Sequence, residues 1–428
     1  MLLGDESDAL LAALKEESPV SIRLNPLKPA TVPGGPVPWC ATGRYLSERP
    51  SFTLDPLLHA GAYYVQEASS MLLEQAFLRT GLAESDILAL DICAAPGGKS
   101  THLASLLSAD SLLVCNEVVR ARRDALMENL WKHGSPNTVV TGSAPAGFAG
   151  LQDAFDLVLV DAPCSGEGMF RKDPFARHQW NERLVATCAR TQRDILQHAW
   201  ASLGPGGWLI YSTCTWERSE NEEQVLDLIR QGAEFVSIPM SDAWDVEATD
   251  AGYRCYPHRV KGEGFFIALL RKPGERPGRA GDQQGTPLLA EIASWLSKPD
   301  ASSIRDQEGT LYASPMQWAY TVDMLCRDLR VLSPGIPIAE RKGDRWRPHA
   351  VLALNELLAP GAFPAADVDR EQALTYLRGE TTLGLGSNAG GALGVRLVRY
   401  AGLPLGWMHA AGDRWNNGWP KTWRIRMR

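Results

Sequence analysis

Two cysteines stand where a thiol can act. Asp161-Ala162-Pro163-Cys164-Ser165-Gly166 follows the apolar run Leu157–Val160, and Thr213-Cys214-Thr215 follows the run Trp208–Ser212. Short, nearly continuous apolar runs read as buried parallel strands. In open α/β sheets, ligands lie beyond the carboxyl ends of such strands. Both thiols and Asp161 are therefore expected at one edge of one sheet. A single cysteine is more often a buried structural thiol. Two beside an acid are placed for nucleophilic attack and proton transfer.

A third motif, Leu90-Asp91-Ile92-Cys93-Ala94-Ala95-Pro96-Gly97-Gly98-Lys99-Ser100, lies between a strand and a helix. Small residues there let a ligand approach the backbone, and a helix N-terminus offers free N–H groups. Gly98-Lys99-Ser100 does not complete a P-loop, because Cys93 stands where that loop needs its first glycine. What remains is a nucleoside-binding loop without a phosphate cradle, or a tight strand-to-helix turn. Glu117 ends the next strand, 20 residues beyond Gly97. An acid at that distance can accept both ribose hydroxyls; it also suits a helix first turn. Together the two features favour an adenosine-containing ligand.

Two thiols, an acid and an adenosine-type ligand suggest one reaction. Carbon 5 of a pyrimidine is a poor nucleophile until a thiolate adds to carbon 6 and makes it enamine-like. An acid near ring N3 stabilises the adduct, and a base must later remove the carbon 5 proton. The cofactor brings the methyl group; the protein brings thiolate, orientation and proton handling.

With these motifs in hand, DICAAPGGKS, NEVVRARRDALMENL, DAPCSGEGMFRKDP, LIYSTCTWERSENEEQV and PHRVKGEGFFIALLRK together resemble the Nop/Sun family of RNA cytosine-5 methyltransferases. Ser21–Lys28 and Gln66–Leu73 resemble the family's upstream motifs, so the likeness covers roughly residues 20–272. It implies that Cys93, Ala94, Ala95, Pro96, Gly97, Gly98 and Lys99 line an S-adenosylmethionine pocket and that Glu117 holds the ribose. It implies Asp161 between methyl donor and cytosine, Cys214 as nucleophile and Cys164 in product release. DNA cytosine-5 enzymes attack with the Pro-Cys thiol instead. The Thr-Cys motif, and Ser165-Gly166-Glu167-Gly168 after the Pro-Cys, favour the RNA class. Gly343–Leu354 and Asn416–Lys421 resemble bacterial members that act on the decoding region of 16S ribosomal RNA. One departure is clear: Ala144 stands where the family often carries an Asp against the adenine edge, and no residue is assigned to that contact.

Alternating elements must position these loops. Apolar runs at Ile87–Ile92, Leu112–Cys115, Leu157–Val160, Trp208–Ser212 and Phe265–Leu270 read as strands. Helical patterns cover residues 64–81, Ser100–Leu107, Val118–Lys132, about 177–203 and Ser219–Gln231. In the last, Glu220, Glu222 and Glu223 suit a helix first turn. The alternation predicts an α/β fold with a parallel, doubly wound sheet, here a Rossmann-like methyltransferase domain over 61–272. Residues 1–60 read as a small N-terminal α/β RNA-binding module. Its strand near Ser21–Leu27 precedes a proline-rich stretch that cannot be a central strand. Residues 273–287, rich in Gly, Pro and charge, read as a linker. Residues 288–428 read as an α+β, PUA-like, RNA-binding region.

Composition narrows the partners. The 428 residues carry a net charge of -7, so the chain as a whole does not advertise nucleic-acid binding. Its C-terminus differs: Arg399, Arg414, Lys421, Arg424, Arg426 and Arg428 face one acid, Asp413, among Trp407, Trp415, Trp419 and Trp423. Those tryptophans suit either base stacking or a small β core. Arg171, Lys172, Arg254, His258 and Lys261, extended by Arg23 and Asn25, read as solvated charge or as an RNA backbone groove. The eight cysteines include no CxxC pair, which argues against a zinc site or a disulfide framework, and no metal is expected. The apolar runs are too short for a membrane helix, and the first residues lack a signal peptide's basic and apolar regions. A cytoplasmic protein is expected.

These readings converge on S-adenosylmethionine-dependent methylation of cytosine carbon 5 in RNA. The expected partner is 16S ribosomal RNA or the 30S subunit, with no membrane and no obligate protein partner. Transfer RNA or 23S ribosomal RNA is an alternative substrate. A non-catalytic RNA-binding assembly factor is an alternative of another class.

Overall fold

The computed structural model describes residues 4–276, 288–380, 394–411 and 414–427. Helix α1 (Ser7–Ala13) precedes a small antiparallel sheet of β1 (Val20–Leu24), β2 (Gly35–Val37), β3 (Cys40–Leu46) and β4 (Tyr63–Tyr64), in the order β2-β3-β1-β4. The proline-rich stretch supplies β2, an edge strand, where a missing N–H costs no ladder bond. Helix α2 (Pro56–Ala60) lies between β3 and β4. Lys28 is buried and donates to the carbonyls of Ala60 and Lys132, tying this segment to the helix ending at His133.

The helix expected over 64–81 is shorter. Glu67 accepts the N–H groups of Ser69 and Ser70, each at 2.9 Å, and so caps a 3-10 turn over Ser69–Leu72 that leads directly into α3 (Leu73–Arg79). Such acceptors satisfy the free N–H groups of a helix start, so the helical segment begins after Glu67.

The central sheet follows from the apolar runs. Strands β5 (Leu88–Asp91), β6 (Leu112–Asn116), β7 (Thr138–Thr141), β8 (Phe155–Asp161) and β9 (Leu203–Thr213) pair in parallel in the order β7-β6-β5-β8-β9. Every residue of β5, β6 and β7 is buried, as strands covered on both faces must be. Helices α4 (Gly98–Leu106), α5 (Arg120–His133), α6 (Pro174–Gln179), α7 (Glu182–Ser202) and α8 (Glu222–Arg230) complete the alternation. The single helix expected over 177–203 is two, because Asn181 caps a new helix, its Oδ1 accepting from Leu184 N–H at 2.9 Å.

Beyond β9 the sheet turns antiparallel. Strands β10 (Glu234–Phe235) and β12 (Tyr253–Cys255) both pair with β13 (Phe265–Arg271), and β11 (Glu247–Ala248) pairs with β12.

Most of the expected linker, 277–287, lies outside the described residues, as do Asp413 and Arg428. After it, β14 (Ser302–Gln307), β15 (Thr310–Pro315), β17 (Ile336–Lys342) and β18 (Arg345–Pro348) form one antiparallel sheet. Between them, β16 (Val331–Ser333) leaves that sheet and pairs antiparallel with β7, the far edge of the central sheet. The contact continues in the loop: Gly142 N–H donates to Arg330 O at 2.8 Å and Arg330 N–H to Ser143 Oγ at 2.9 Å. Trp318, Val322, Leu325 and Leu329, just before β16, pack with Phe148, Leu151 and Phe155. Residues 318–333 thus share the core of the central sheet, which the sequence does not announce.

A last sheet holds β19 (Ala365–Val368), β20 (Val395–Tyr400), β21 (Leu403–Ala411) and β22 (Arg414–Asn417), in that order. Trp407, Trp415, Trp419 and Trp423 are all buried, so of the two readings of these tryptophans the β core is the one observed. Lys132 Nζ lies 5.3 Å from the Trp423 ring and joins α5 to this core. Among the described residues, no helix is long and apolar enough to cross a membrane.

Candidate active site

The glycine loop after β5 leads into α4 through Gly97, whose φ of +108° is open to glycine and strained for other residues. Several bonds shape this loop. Ser100 Oγ donates to Asp91 Oδ2 at 2.6 Å, Ala94 N–H donates to Asn116 O at 2.8 Å, and Arg122 donates to Ala95 O. Asp91 is fully buried, and its Oδ1 has no partner. Burial pushes its carboxyl up to about 7. Burial, with Asp91, Asp161 and Glu117 nearby, holds the Cys93 thiol well above its ordinary value, which favours the neutral thiol.

Glu117 is buried at the end of β6, where its carboxylate accepts from Val119 N–H at 2.7 Å and meets Arg122 at 3.3 Å. Asn116 beside it ties the glycine loop to the next one. Its Nδ2 donates to Ile92 O and Ser143 O, and its Oδ1 accepts from Ser143 N–H. Ala144 follows as the extended residue that opens the short turn Pro145–Gly150.

Lys99 turns from the glycine loop toward the end of the neighbouring strand β8. Its Nζ lies 2.9 Å from Asp161 Oδ2, and Ser212 Oγ donates to Asp161 Oδ1 at 3.0 Å. Burial works against the Lys99 ammonium, but Asp161 outweighs it and lifts the group above the ordinary lysine value.

The sulfurs of Cys164 and Cys214 lie 3.0 Å apart, and Cys214 N–H approaches Cys164 Sγ at 3.4 Å. A hydrogen bond from the Cys164 thiol holds Cys214 below the usual thiol range, helped by Lys99 and opposed by burial. The same bond, reinforced by burial, pushes Cys164 far above it. Within the pair, negative charge is therefore favoured on Cys214 and the proton on Cys164. The fold brings Asp161, Lys99, Cys164 and Cys214 together, with the Cys93–Gly98 loop and Glu117 at the ends of the neighbouring strands.

Three residues of this site escape the sequence reading. Gln192, Glu220 and Asn221 are fully buried polar side chains behind the thiol loops. Glu220 is not a solvated helix-start acid. The available signal is the run Ser219-Glu220-Asn221-Glu222 shortly after the Thr-Cys motif: a polar run is costly to bury unless its groups have partners.

Most of the cations read as a groove are structural. Arg23 is buried against Gln66, Thr101 and Ser105. Asn25 is buried, donating to Gly61 O and His133 O. Arg171 pairs with Glu263 at 3.1 Å, both side chains 3% exposed, and Arg254 pairs with Glu222 at 2.6 Å. His258 meets Glu6 at 2.9 Å. A lone buried guanidinium is too costly, so these side chains sit where acceptors wait. Lys172 and Lys261 remain exposed.

Elsewhere, Cys40, Glu74 and His102 are buried with their donor atoms within 4.8 Å of one another, the ligand types of a metal site. His102 Nε2 already meets Glu74 at 3.2 Å, its Nδ1 has no partner, and Arg23 adds positive charge. Metal-bound histidines donate their second N–H to an acceptor, so a hydrogen-bonded core cluster accounts better for this group.

The class is set by likeness to solved structures. A methyltransferase homologue from Pyrococcus horikoshii matches with a TM-score of 0.54 at 27% identity, over 63% of this chain and 91% of that one. NSun6 from the same organism matches with a TM-score of 0.54 at 21% identity, over 63% and 95%, and supports the fold alone. The fold is that of a Rossmann-like methyltransferase. Within that class, the family described as 16S rRNA methyltransferase RsmB/F matches residues 81–271. The N-terminal domain of 16S rRNA methyltransferase RsmF matches residues 1–68, and the methyltransferase RsmF PUA domain residues 363–425. Ribosomal RNA small subunit methyltransferase F of Aliivibrio fischeri strain MJ11 is 33% identical over 97% of this chain and 93% of its own length. The enzyme of the same name from Pectobacterium atrosepticum is 36% identical over 78% and 73%. The chain belongs to the RsmB/F family of RNA methyltransferases.

Proposed function

We propose that this enzyme transfers a methyl group from S-adenosylmethionine to carbon 5 of a cytosine in the decoding region of 16S ribosomal RNA, acting in the cytoplasm on the RNA or the 30S subunit. The observation that carries the reading is the thiol pair, 3.0 Å apart with opposite protonation preferences.

The site suits the cofactor. The loop Cys93–Lys99 lets a ligand approach its backbone, and Asp91 offers a buried carboxyl oxygen without a partner. Asp161 and Glu117 supply negative charge that a cationic sulfonium favours, and such a ligand would draw Asp91 toward its carboxylate form. Glu117 would hold the ribose once half-exposed Arg122 gives way. When bound, the cofactor would supply an electrophilic methyl group, keeping the electron pair of the broken sulfur–carbon bond and leaving as a neutral thioether.

The residues then divide the work. The Cys214 thiolate adds to carbon 6 of the cytosine, and the electron pair of the ring double bond moves to carbon 5. Asp161, steadied by Lys99 and Ser212, sits by ring N3 and stabilises the adduct. Carbon 5 takes the methyl group. The Cys214 sulfur, now bonded to carbon, no longer accepts a strong hydrogen bond from Cys164. Cys164 is thereby freed to lose its own proton to water and then to take the carbon 5 proton. The carbon–sulfur bond breaks, the double bond returns, and Cys214 leaves as thiolate. One proton is released overall.

Bisulfite sequencing of ribosomal and transfer RNA, from cells with and without the gene, tests this reading. Loss of 5-methylcytosine in the decoding region of 16S RNA is expected. Loss confined to transfer or 23S RNA would overturn the substrate, and no loss anywhere would overturn the chemistry.

A further inference from the structure

Each thiol is flanked by residues held from behind, and the two grips come from neighbouring residues. Asn221 holds the flanks of Cys214: its Oδ1 accepts from Thr213 Oγ1 at 2.6 Å, and its Nδ2 donates to Thr215 O at 2.9 Å. Glu220 holds the flanks of Cys164. Its Oε2 accepts from Ser165 N–H at 3.0 Å and from Gln192 Nε2 at 2.8 Å, and Gln192 Nε2 also donates to Pro163 O at 2.9 Å. The two loops also touch directly, with Ser165 Oγ 2.9 Å from Thr215 Oγ1.

These grips are costly to build. Glu220, Asn221 and Gln192 are 0% exposed, and Glu220 Oε1 and Gln192 Oε1 are buried without partners. No ion pair neutralises Glu220 among those found at the described residues. Unpaired buried acceptors cost free energy, and packing the loops alone would not require them.

We propose that Glu220 and Asn221 are positioning residues that fix the separation of the two thiols, Asn221 through the Cys214 loop and Glu220 with Gln192 through the Cys164 loop. The inference rests on the thiol roles given above. Because the two residues are adjacent in the chain, neither loop can drift without straining the other's grip. The hydrogen bond between the sulfurs, which decides where the negative charge sits, then holds its length. A misplacement of about 1 Å at such a site can cost roughly 10²-fold in rate.

The division of labour gives opposite trapped states. Asn221→Ala displaces the nucleophile, so kcat falls by roughly 10²-fold and no covalent RNA–protein species accumulates. Glu220→Ala or Gln192→Ala displaces the releasing thiol, so an RNA-linked species resistant to denaturation builds up on a gel. Glu220→Gln, which keeps an oxygen acceptor, restores most of the release. Cofactor binding and thermal melting of each variant establish that it is folded; if Glu220→Ala does not fold, Gln192→Ala carries the test. Cys164→Ala is the control. If it traps no adduct, the thiol reading itself fails. If it traps adduct while Glu220→Ala and Gln192→Ala do not, or if Asn221→Ala and Glu220→Ala lose activity with identical gel patterns, the positioning inference is overturned.

Discussion

Lys99 Nζ lies 2.9 Å from Asp161 Oδ2, so an ion pair joins the glycine loop after β5 to the thiol loop after β8. Cofactor side and base side are therefore not independent. Removing the lysine should be felt at the sulfur as well as at the acid, because Lys99 is one of the groups that holds Cys214 down.

Lys99→Ala is expected to lower kcat/KM by roughly 10²-fold, the usual scale for one preorganised electrostatic group. It should also move the alkylation of Cys214 by iodoacetamide to higher pH. Alkylation that keeps its wild-type pH dependence would show that the ion pair does not reach the sulfur.

Cys214→Ala should lose at least about 10⁴-fold in kcat, on the scale of removing a covalent nucleophile, and should leave no adduct. Cys164→Ala should accumulate the adduct on RNA. Gel shifts under denaturing conditions check both. Adduct formation by Cys214→Ala would reassign the nucleophile.

Asp91 makes stability depend on pH, and the sign is fixed by its environment. Burial raises its carboxyl from 3.8 to about 7 in the folded chain. Between those values the folded state holds a proton that the unfolded chain has lost, so stability falls as pH rises through the window. Asp91→Asn should raise the Tm at pH 8, by at most about 4 kcal/mol in stability, and should make little difference near pH 4. A Tm gain independent of pH would point away from the carboxyl.

Cofactor binding should report on the same group. A cationic ligand beside Asp91 favours the carboxylate, so binding near pH 6.5 should release protons and tighten as pH rises toward 8. Calorimetry in two buffers of different ionisation enthalpy measures the release. Identical heats in both would remove Asp91 from the binding step.

Lys28→Met tests the seam between the first segment and α5. It leaves the carbonyls of Ala60 and Lys132 without their shared donor. About 2 kcal/mol of stability should be lost, read as a lower denaturant midpoint with an unchanged slope.

Much of the scaffold was legible because its signals are local. The apolar runs that became β5, β6, β8 and β9 are buried on both faces, and each needs only its own residues to be read. Asp161, Cys164 and Cys214 could be placed at one edge of the sheet for the same reason: each ends its strand or closely follows it. What escaped depends on partners distant in sequence. Glu220 looks like a helix-start acid until Ser165 and Gln192 are seen around its carboxylate. Arg171 looks like a solvated cation until Glu263, from the approach to β13, closes on it. The helix expected over 64–81 starts late because Glu67 accepts from Ser69 and Ser70 N–H and caps the 3-10 turn that leads into α3.

The pairing of β16 with β7 has a consequence for anyone who would shorten or recombine this chain. A cut within 277–287, the place that composition recommends, would strip β7 of its outer neighbour and leave bare peptide groups on a wholly buried strand. Such rims seek other chains and aggregate. A self-sufficient catalytic fragment, or a transplant of this catalytic half onto a foreign recognition module, would have to carry Trp318–Ser333 with it, so the practical frontier between the halves lies past Ser333.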